Sequence, residues 1–135
     1  MTETITSMIE TTPARVDIDP ALLAECIDAC LACSQTCTAC ADACLAEDMV
    51  ADLRRCIRLN QDCADLCAAT ARVLSRHVAY DAAITRATLE ACAQACESCG
   101  EECASHADMH EHCRVCADAC RRCADACRAV LAAIG

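Results

Sequence analysis

Six cysteines between Cys26 and Cys44 stand four, three, four, three and four residues apart: Cys26, Cys30, Cys33, Cys37, Cys40 and Cys44. Side chains at that spacing share one face of an α-helix, with Cβ atoms roughly 5–6 Å apart. Three further seams keep to helical register: Cys56, Cys63 and Cys67; Cys92, Cys96, Cys99 and Cys103; and Cys113, Cys116, Cys120, Cys123 and Cys127. Together they account for all 18 cysteines of the 135-residue chain. Two sulfurs that share a two-coordinate metal ion lie about two bond lengths apart, roughly 4–5 Å if each bond is near the length of Zn–S. Neighbours on one helix meet that requirement, and facing helices supply bridging sulfurs. The chemistry on offer is soft-metal thiolate binding, which suits Cu(I), zinc or iron–sulfur clusters.

Charge chooses among these metals. Each ligating thiol becomes a thiolate, and burying many uncompensated anions is prohibitive. One Cu(I) per thiolate leaves the interior neutral. A zinc ion in four thiolates keeps a net charge of about −2, so several such sites in one narrow tube repel each other. Zinc and iron–sulfur centres also favour four-ligand knots, usually on C-x2-C turns in loops. The expectation is therefore many Cu(I) ions, on the order of one per cysteine. A zinc or cadmium buffer and an iron–sulfur electron-transfer protein are the alternatives.

Other donors stand in or near the seams. Asn60 falls between Cys56 and Cys63, in register with both. It is read either as a polar residue hydrogen-bonded to backbone or neighbours, or as an oxygen donor to a cluster. His110 is three residues before Cys113 and in register; His106 lies one turn past Cys103. With Met49 and Met109 they gather where two helix connections meet, which suggests a metal-uptake mouth with His106, Met109 and His110 as candidate ligands. Met49 reads as core filler. His112 adjoins Cys113 and is expected to point elsewhere, and His77 reads as structural. The arginines Arg54, Arg55, Arg58, Arg121, Arg122 and Arg128 read as solvated faces with helix pairs. No nucleophile–base–orienter constellation or phosphate loop stands out, so no enzyme is expected.

The elements that must hold these seams are helices. Asp19-Pro20 reads as an N-cap followed by proline at the first helical position. Four helices are expected, over about 20–46, 48–77, 82–105 and 109–133, the last two capped by Asp81 and Asp108. C-x-x-C-A-D-A-C recurs at Cys37–Cys44, Cys113–Cys120 and Cys120–Cys127, one unit per helical layer. Short connections imply an antiparallel up-down four-helix bundle over 20–135 with a cysteine-lined core. Residues 1–19 form a separate N-terminal segment, in which Ile5, Met8 and Ile9 share a face; it is either a short helix across the bundle or a loose tail. Gly100 sits beside a seam and permits close helix approach. The end opposite the mouth collects Leu22, Leu23, Leu74, Val78, Ile84, Leu89, Val130, Leu131 and Ile134 as an apolar plug.

Composition agrees with a core of sulfur. The chain has one Tyr and no Phe or Trp, so large aromatic anchors are missing. Its net charge is −10, with 11 basic residues, all Arg; neither nucleic acid nor membrane is an expected partner. So many cysteines in a short chain would ordinarily suggest an exported disulfide scaffold. Against that stand the helical spacing, which ill suits disulfide geometry, and an N-terminus that lacks an export signal. A cytoplasmic location with reduced thiols is expected.

The seams resemble those of the bacterial copper storage proteins, the cysteine-lined four-helix bundles of the Csp family, over about residues 20–133. The lack of a signal resembles the cytosolic branch. The resemblance implies high-capacity Cu(I) storage along the bundle lumen, in thiolate-bridged clusters assisted by a His and an Asn. Cys26 through Cys127 match as the cysteine ligands, with Asn60 and His110 in register. It further implies a homo-oligomer, commonly a tetramer. A copper chaperone as supplier stays unassigned.

Overall fold

The computed structural model describes residues 2–134, and every regular element among them is helical. Helix α1 spans Thr2–Thr11, α2 Pro20–Leu45, α3 Arg54–Leu74, α4 Ala82–Ser105 and α5 Glu111–Ile134, with a 3-10 turn at Val50–Leu53. Local chemistry sets the starts of α2 and α4. The Asp19 carboxylate accepts the Ala21 N–H at 2.9 Å, and Pro20 follows at the first helical position. Asp81 accepts the N–H groups of Ala83 and Ile84.

Three expected boundaries shift. The second bundle helix does not begin at 48. The 3-10 turn takes up 50–53, and its Leu53 is fully buried. That helix also stops at Leu74, so His77 lies outside it. Asp108 does not cap α5: residues 106–109 form a turn in which the His106 carbonyl accepts the N–H groups of Met109 and His110. The His110 carbonyl then accepts from Cys113 and Arg114, which makes His110 the residue that opens α5.

Helices α2, α3, α4 and α5 close into a ring. Each packs on its two neighbours; among the described residues the diagonal pairs keep their backbones apart and meet only through side chains in the lumen. Both hairpins, α2–α3 and α4–α5, turn at the same end, as an up-down topology requires. The four inward stripes enclose one lumen, and all 18 cysteines are on them, buried and free of disulfides. The far end is plugged by Leu23, Leu74, Leu89 and Val130, all buried. Each contributes roughly 1.5–3 kcal/mol through removal from water. Val78 and Ile84, expected in that plug, are exposed: Val78 lies in the α3–α4 turn, and Ile84 occupies the outer face of the first turn of α4.

Helix α1 packs against α2, burying Ile9. Ile5 joins it one turn earlier, but Met8 points outward and is exposed. Gly100 faces α5, where an added Cβ would stand 3.3 Å from the Cβ of Cys120. Its lack of a side chain lets α4 and α5 approach closely beside the thiols. Three arginines differ from expectation by linking separate helices. Arg122 on α5 meets Glu25 and Asp28 on α2, Arg128 on α5 meets Glu97 on α4, and Arg55 on α3 meets Glu102 on α4. Arg58 pairs within its own helix, with Asp62.

Candidate metal centre

The lumen is a column of sulfur in van der Waals contact. Near the plug, Cys26 and Cys127 are 3.8 Å apart and Cys30 and Cys123 are 3.6 Å apart. Cys67 then touches Cys92, Cys96 and Cys123 at 3.7–3.8 Å. Cys63 meets Cys96 at 3.7 Å and Cys33 at 3.9 Å. Cys37 meets Cys116 at 3.6 Å and Cys120 at 3.7 Å. Toward the mouth, Cys56 meets Cys103 at 3.7 Å and Cys44 at 4.0 Å. A disulfide needs sulfurs about 2.05 Å apart, so these are separate thiols.

Several groups of four sulfurs lie within 4.8 Å of one another, among them Cys30, Cys92, Cys123 and Cys127, and nearest the mouth Cys40, Cys44, Cys56 and Cys113. For bonds near 2.3 Å, neighbouring sulfurs stand about 4.0 Å apart around a trigonal ion and about 3.8 Å around a tetrahedral one. Separation alone therefore does not choose the metal. Sharing does: Cys33, Cys37, Cys63 and Cys120 each belong to two of the four-sulfur groups. Discrete four-thiolate sites cannot all fill at once, whereas ions joined by bridging sulfurs can.

Asn60 lies within this column, fully buried. Its Oδ1 accepts from Cys99 and Cys116 at 3.1 Å each and from Cys103 at 3.7 Å, and its Nδ2 donates to Cys56 at 3.5 Å. Every side-chain partner is a thiol, which excludes the backbone-bonded reading. When those thiols lose their protons, Oδ1 loses its donors, and a cation is the natural replacement.

The thiols perturb one another. Cys123 is lowered to about 7, first by Cys127 and then by Cys30, whose S–H groups favour a thiolate at its sulfur. Cys30 in turn is pushed up, first by Cys123. Cys26 is lowered to about 5, chiefly by Cys127. Nearer the mouth, burial raises Cys44 to about 11 and raises Cys113 as well. Whichever sulfur of such a pair is favoured as thiolate, a neighbouring S–H group is the cause. The protons leave when a cation replaces them.

The histidines separate into different roles. His106 directs Nε2 to Glu102 at 2.8 Å, joining the Arg55–Glu102 pair on the bundle exterior. Met109 is exposed and Met49 partly so, both on the surface rather than in the sulfur column. His110 is buried, with Nδ1 3.0 Å from Glu47 Oε2 and Nε2 lacking any partner. His112, expected to point away, instead places Nδ1 3.4 Å from Cys40 Sγ and 3.6 Å from Cys113 Sγ. Burial pulls its pKa down, but the Cys40 sulfur and the Glu47 carboxylate outweigh that and raise it. Glu47 is held below the usual carboxylate range, first by its hydrogen bond with His112. The two imidazoles stack with centroids 5.5 Å apart. The sequence signal for His112 was its spacing to Cys116, four residues on; counting only from Cys113 conceals it.

Known proteins share this arrangement. A family profile described as copper storage protein matches residues 20–132. The structure of the Streptomyces lividans copper storage protein Ccsp loaded with 10 copper equivalents is 58% identical, with a TM-score of 0.94, covering 96% of this chain and 98% of that one. A structure described as copper loading to a cytosolic copper storage protein from Streptomyces lividans, with five coppers, is 63% identical at a TM-score of 0.85, covering 85% and 96%. The uncharacterized cysteine-rich protein YhjQ of Bacillus subtilis (strain 168) is 39% identical over 94 residues, which is 70% of this chain and 82% of that protein. With the family match spanning all four bundle helices, the chain belongs to the copper storage protein family.

Proposed function

We propose that this protein stores Cu(I) in the cytosol, in thiolate-bridged sites along the bundle lumen, on the order of one ion per cysteine. The observation that carries this reading is the unbroken column of buried, unpaired sulfurs, several of them shared between neighbouring four-sulfur groups. Shared sulfurs suit bridged low-coordinate ions, and a monovalent cation neutralises each thiolate. The ligands in this reading are the 18 cysteines, with Asn60 Oδ1 in the middle of the column and His112 Nδ1 and His110 Nε2 at the mouth. Met109 and His106 serve at the outer surface, where an arriving ion first meets the protein. Storage, not catalysis, is the activity. The cytosolic location has the support of the Streptomyces lividans likeness, described as a cytosolic protein. No described helix is long and apolar enough to cross a membrane. Assembly as a homotetramer, implied by the family resemblance, completes the reading.

Anaerobic titration of the reduced protein with Cu(I), against a chelator of known affinity, tests it. The expected result is a capacity near one ion per quantified thiol, with Zn(II) and Cd(II) failing to displace the bound copper. A preference for zinc over Cu(I), or visible charge-transfer colour from bound iron and sulfide, overturns it. Light scattering of the reduced protein decides the tetramer.

A further inference from the structure

Two imidazoles at the mouth, His110 buried and His112 half-buried, share one carboxylate oxygen. Glu47 Oε2 is 2.9 Å from His112 Nε2, in a hydrogen bond, and 3.0 Å from His110 Nδ1. A carboxylate only accepts, so the His112 nitrogen bonded to it carries the proton. At His110 a lone pair 3.0 Å from the same oxygen would be repelled, which favours the proton on Nδ1. In a neutral imidazole the other nitrogen is then a bare lone pair. For His112 that bare atom is Nδ1, beside Cys40 and Cys113. For His110 it is Nε2, which is buried and without a partner. The side chain of His110 is 7% exposed, so this nitrogen is an acceptor denied water. Opposite nitrogens of two stacked rings are thus left bare by the same oxygen.

Backbone bonds hold Glu47 and His110 in place. The Glu47 N–H donates to the Cys44 carbonyl, which keeps the carboxylate one residue beyond the end-of-helix turn that carries a thiol. The His110 carbonyl accepts from Cys113 and Arg114. Glu47 therefore joins the end of α2 to the start of α5 across the mouth. Bonds of about 2.0 and 2.3 Å meeting at a trigonal ion would put nitrogen and sulfur about 3.7 Å apart. The His112 Nδ1 distances of 3.4 and 3.6 Å are within a few tenths of that.

We propose that Glu47 is a positioning residue for the metal mouth: it holds His112 as the Nε2–H tautomer and His110 as the Nδ1–H tautomer, so that His112 Nδ1 and His110 Nε2 are presented together as nitrogen donors. Glu47 does not touch the ion. It acts through the rings, as carboxylates behind metal-binding histidines do. The tautomer statement stands on the metal-free protein, and only its consequence for binding rests on the copper reading.

The test has two readouts on wild type, Glu47→Ala and Glu47→Gln. Long-range nitrogen–proton NMR of the reduced, metal-free protein with labelled histidine reads the tautomers directly. Wild type is expected to show opposite tautomers at His110 and His112; Glu47→Ala loses both preferences, while Glu47→Gln, whose amide oxygen still accepts, retains that of His112. Chelator competition then reads the most weakly held copper. Glu47→Ala is expected to lower that affinity about 10–100-fold with total capacity kept, and Glu47→Gln to restore part of it. Identical tautomers in wild type, or tautomers unmoved by Glu47→Ala, overturn the proposal, as does an affinity loss that Glu47→Gln shares in full. If the tautomers respond while wild type binds no copper, the storage reading fails and the positioning of the rings stands.

Discussion

Asn60 Oδ1 accepts a hydrogen bond from Cys99 Sγ at 3.1 Å, which puts the one buried side-chain amide among the described residues in direct contact with the sulfur column. Replacing Asn60 by Leu keeps much of the volume and removes the acceptor. The expected cost to the metal-free fold is about 1 kcal/mol, at the low end for a lost partner because thiols are weak donors. Copper capacity is expected to fall by about one ion. Asn60→Asp instead buries an unpaired charge and costs about 3–5 kcal/mol at neutral pH. Chemical denaturation with parallel copper titration separates the two variants.

Copper loading replaces thiol protons. About one proton should therefore leave per thiol engaged. Titration in weakly buffered solution reads that number. The reduced metal-free protein is expected to be helical, because protonated cysteine packs as a small hydrophobe. Its melting temperature should rise with each copper equivalent, since the ions bind the native state. A random-coil circular dichroism spectrum without copper contradicts this.

Gly100 is the residue that sets the α4–α5 approach. A Cβ there meets Cys120 Cβ at 3.3 Å, so Gly100→Ala requires a shift of a few tenths of an ångström. Its gain in helix propensity, about 1 kcal/mol, offsets that crowding, and little net change in stability is expected. Gly100→Val has no such balance. It should destabilise by about 1–3 kcal/mol and loosen copper bound by Cys99, Cys116 and Cys120. Thermal melts of the metal-free and loaded forms check both variants.

Arg122 beside Asp28 holds its carboxyl below the usual aspartate value of 3.8, so this group stabilises the fold above that value. The contribution is lost as pH falls through the lower folded-state value. Arg122→Met is therefore expected to cost under about 1 kcal/mol at neutral pH, small because the Arg122 side chain is 41% exposed and water screens the pair. The difference from wild type should vanish in acid. Denaturation at pH 7 and at a pH well below 3.8 measures it.

Ala79 turns the chain between α3 and α4 with a φ of 55°, in the left-handed region. A Cβ there costs about 1–2 kcal/mol. Ala79→Gly should stabilise the protein, by less than that amount because glycine also loosens the unfolded chain. Copper capacity should be unchanged, as the turn lies at the end away from the mouth. A melting curve and a capacity measurement test both statements.

Helical spacing is a local property, and it was enough to read the four seams. Cysteine at steps of three and four reports a face whether or not the neighbouring helices are known, which is why Cys26 through Cys127 could be placed inside. Asp19-Pro20 and Asp81 marked their helices because capping is chemistry between adjacent residues. The same reasoning failed where the register is counted from the wrong neighbour. Counting from Cys113, one residue away, sets His112 aside, whereas its spacing of four to Cys116 carries it to the seam side of α5. Val78 and Ile84 failed for a different reason: apolarity says what a side chain prefers, not whether a turn carries it outside.

The amino-acid pattern alone determined that this is a helical bundle with a thiol interior, and charge neutrality then pointed to monovalent copper. Only the tertiary structure decided which sulfurs are shared, that Asn60 bonds to thiols from two other helices, and that Glu47 faces two imidazoles 63 and 65 positions further along the chain. Periodicity fixes direction around one helix axis. Contacts between helices depend also on their rotation, stagger and the turns that join them, and no single segment encodes these.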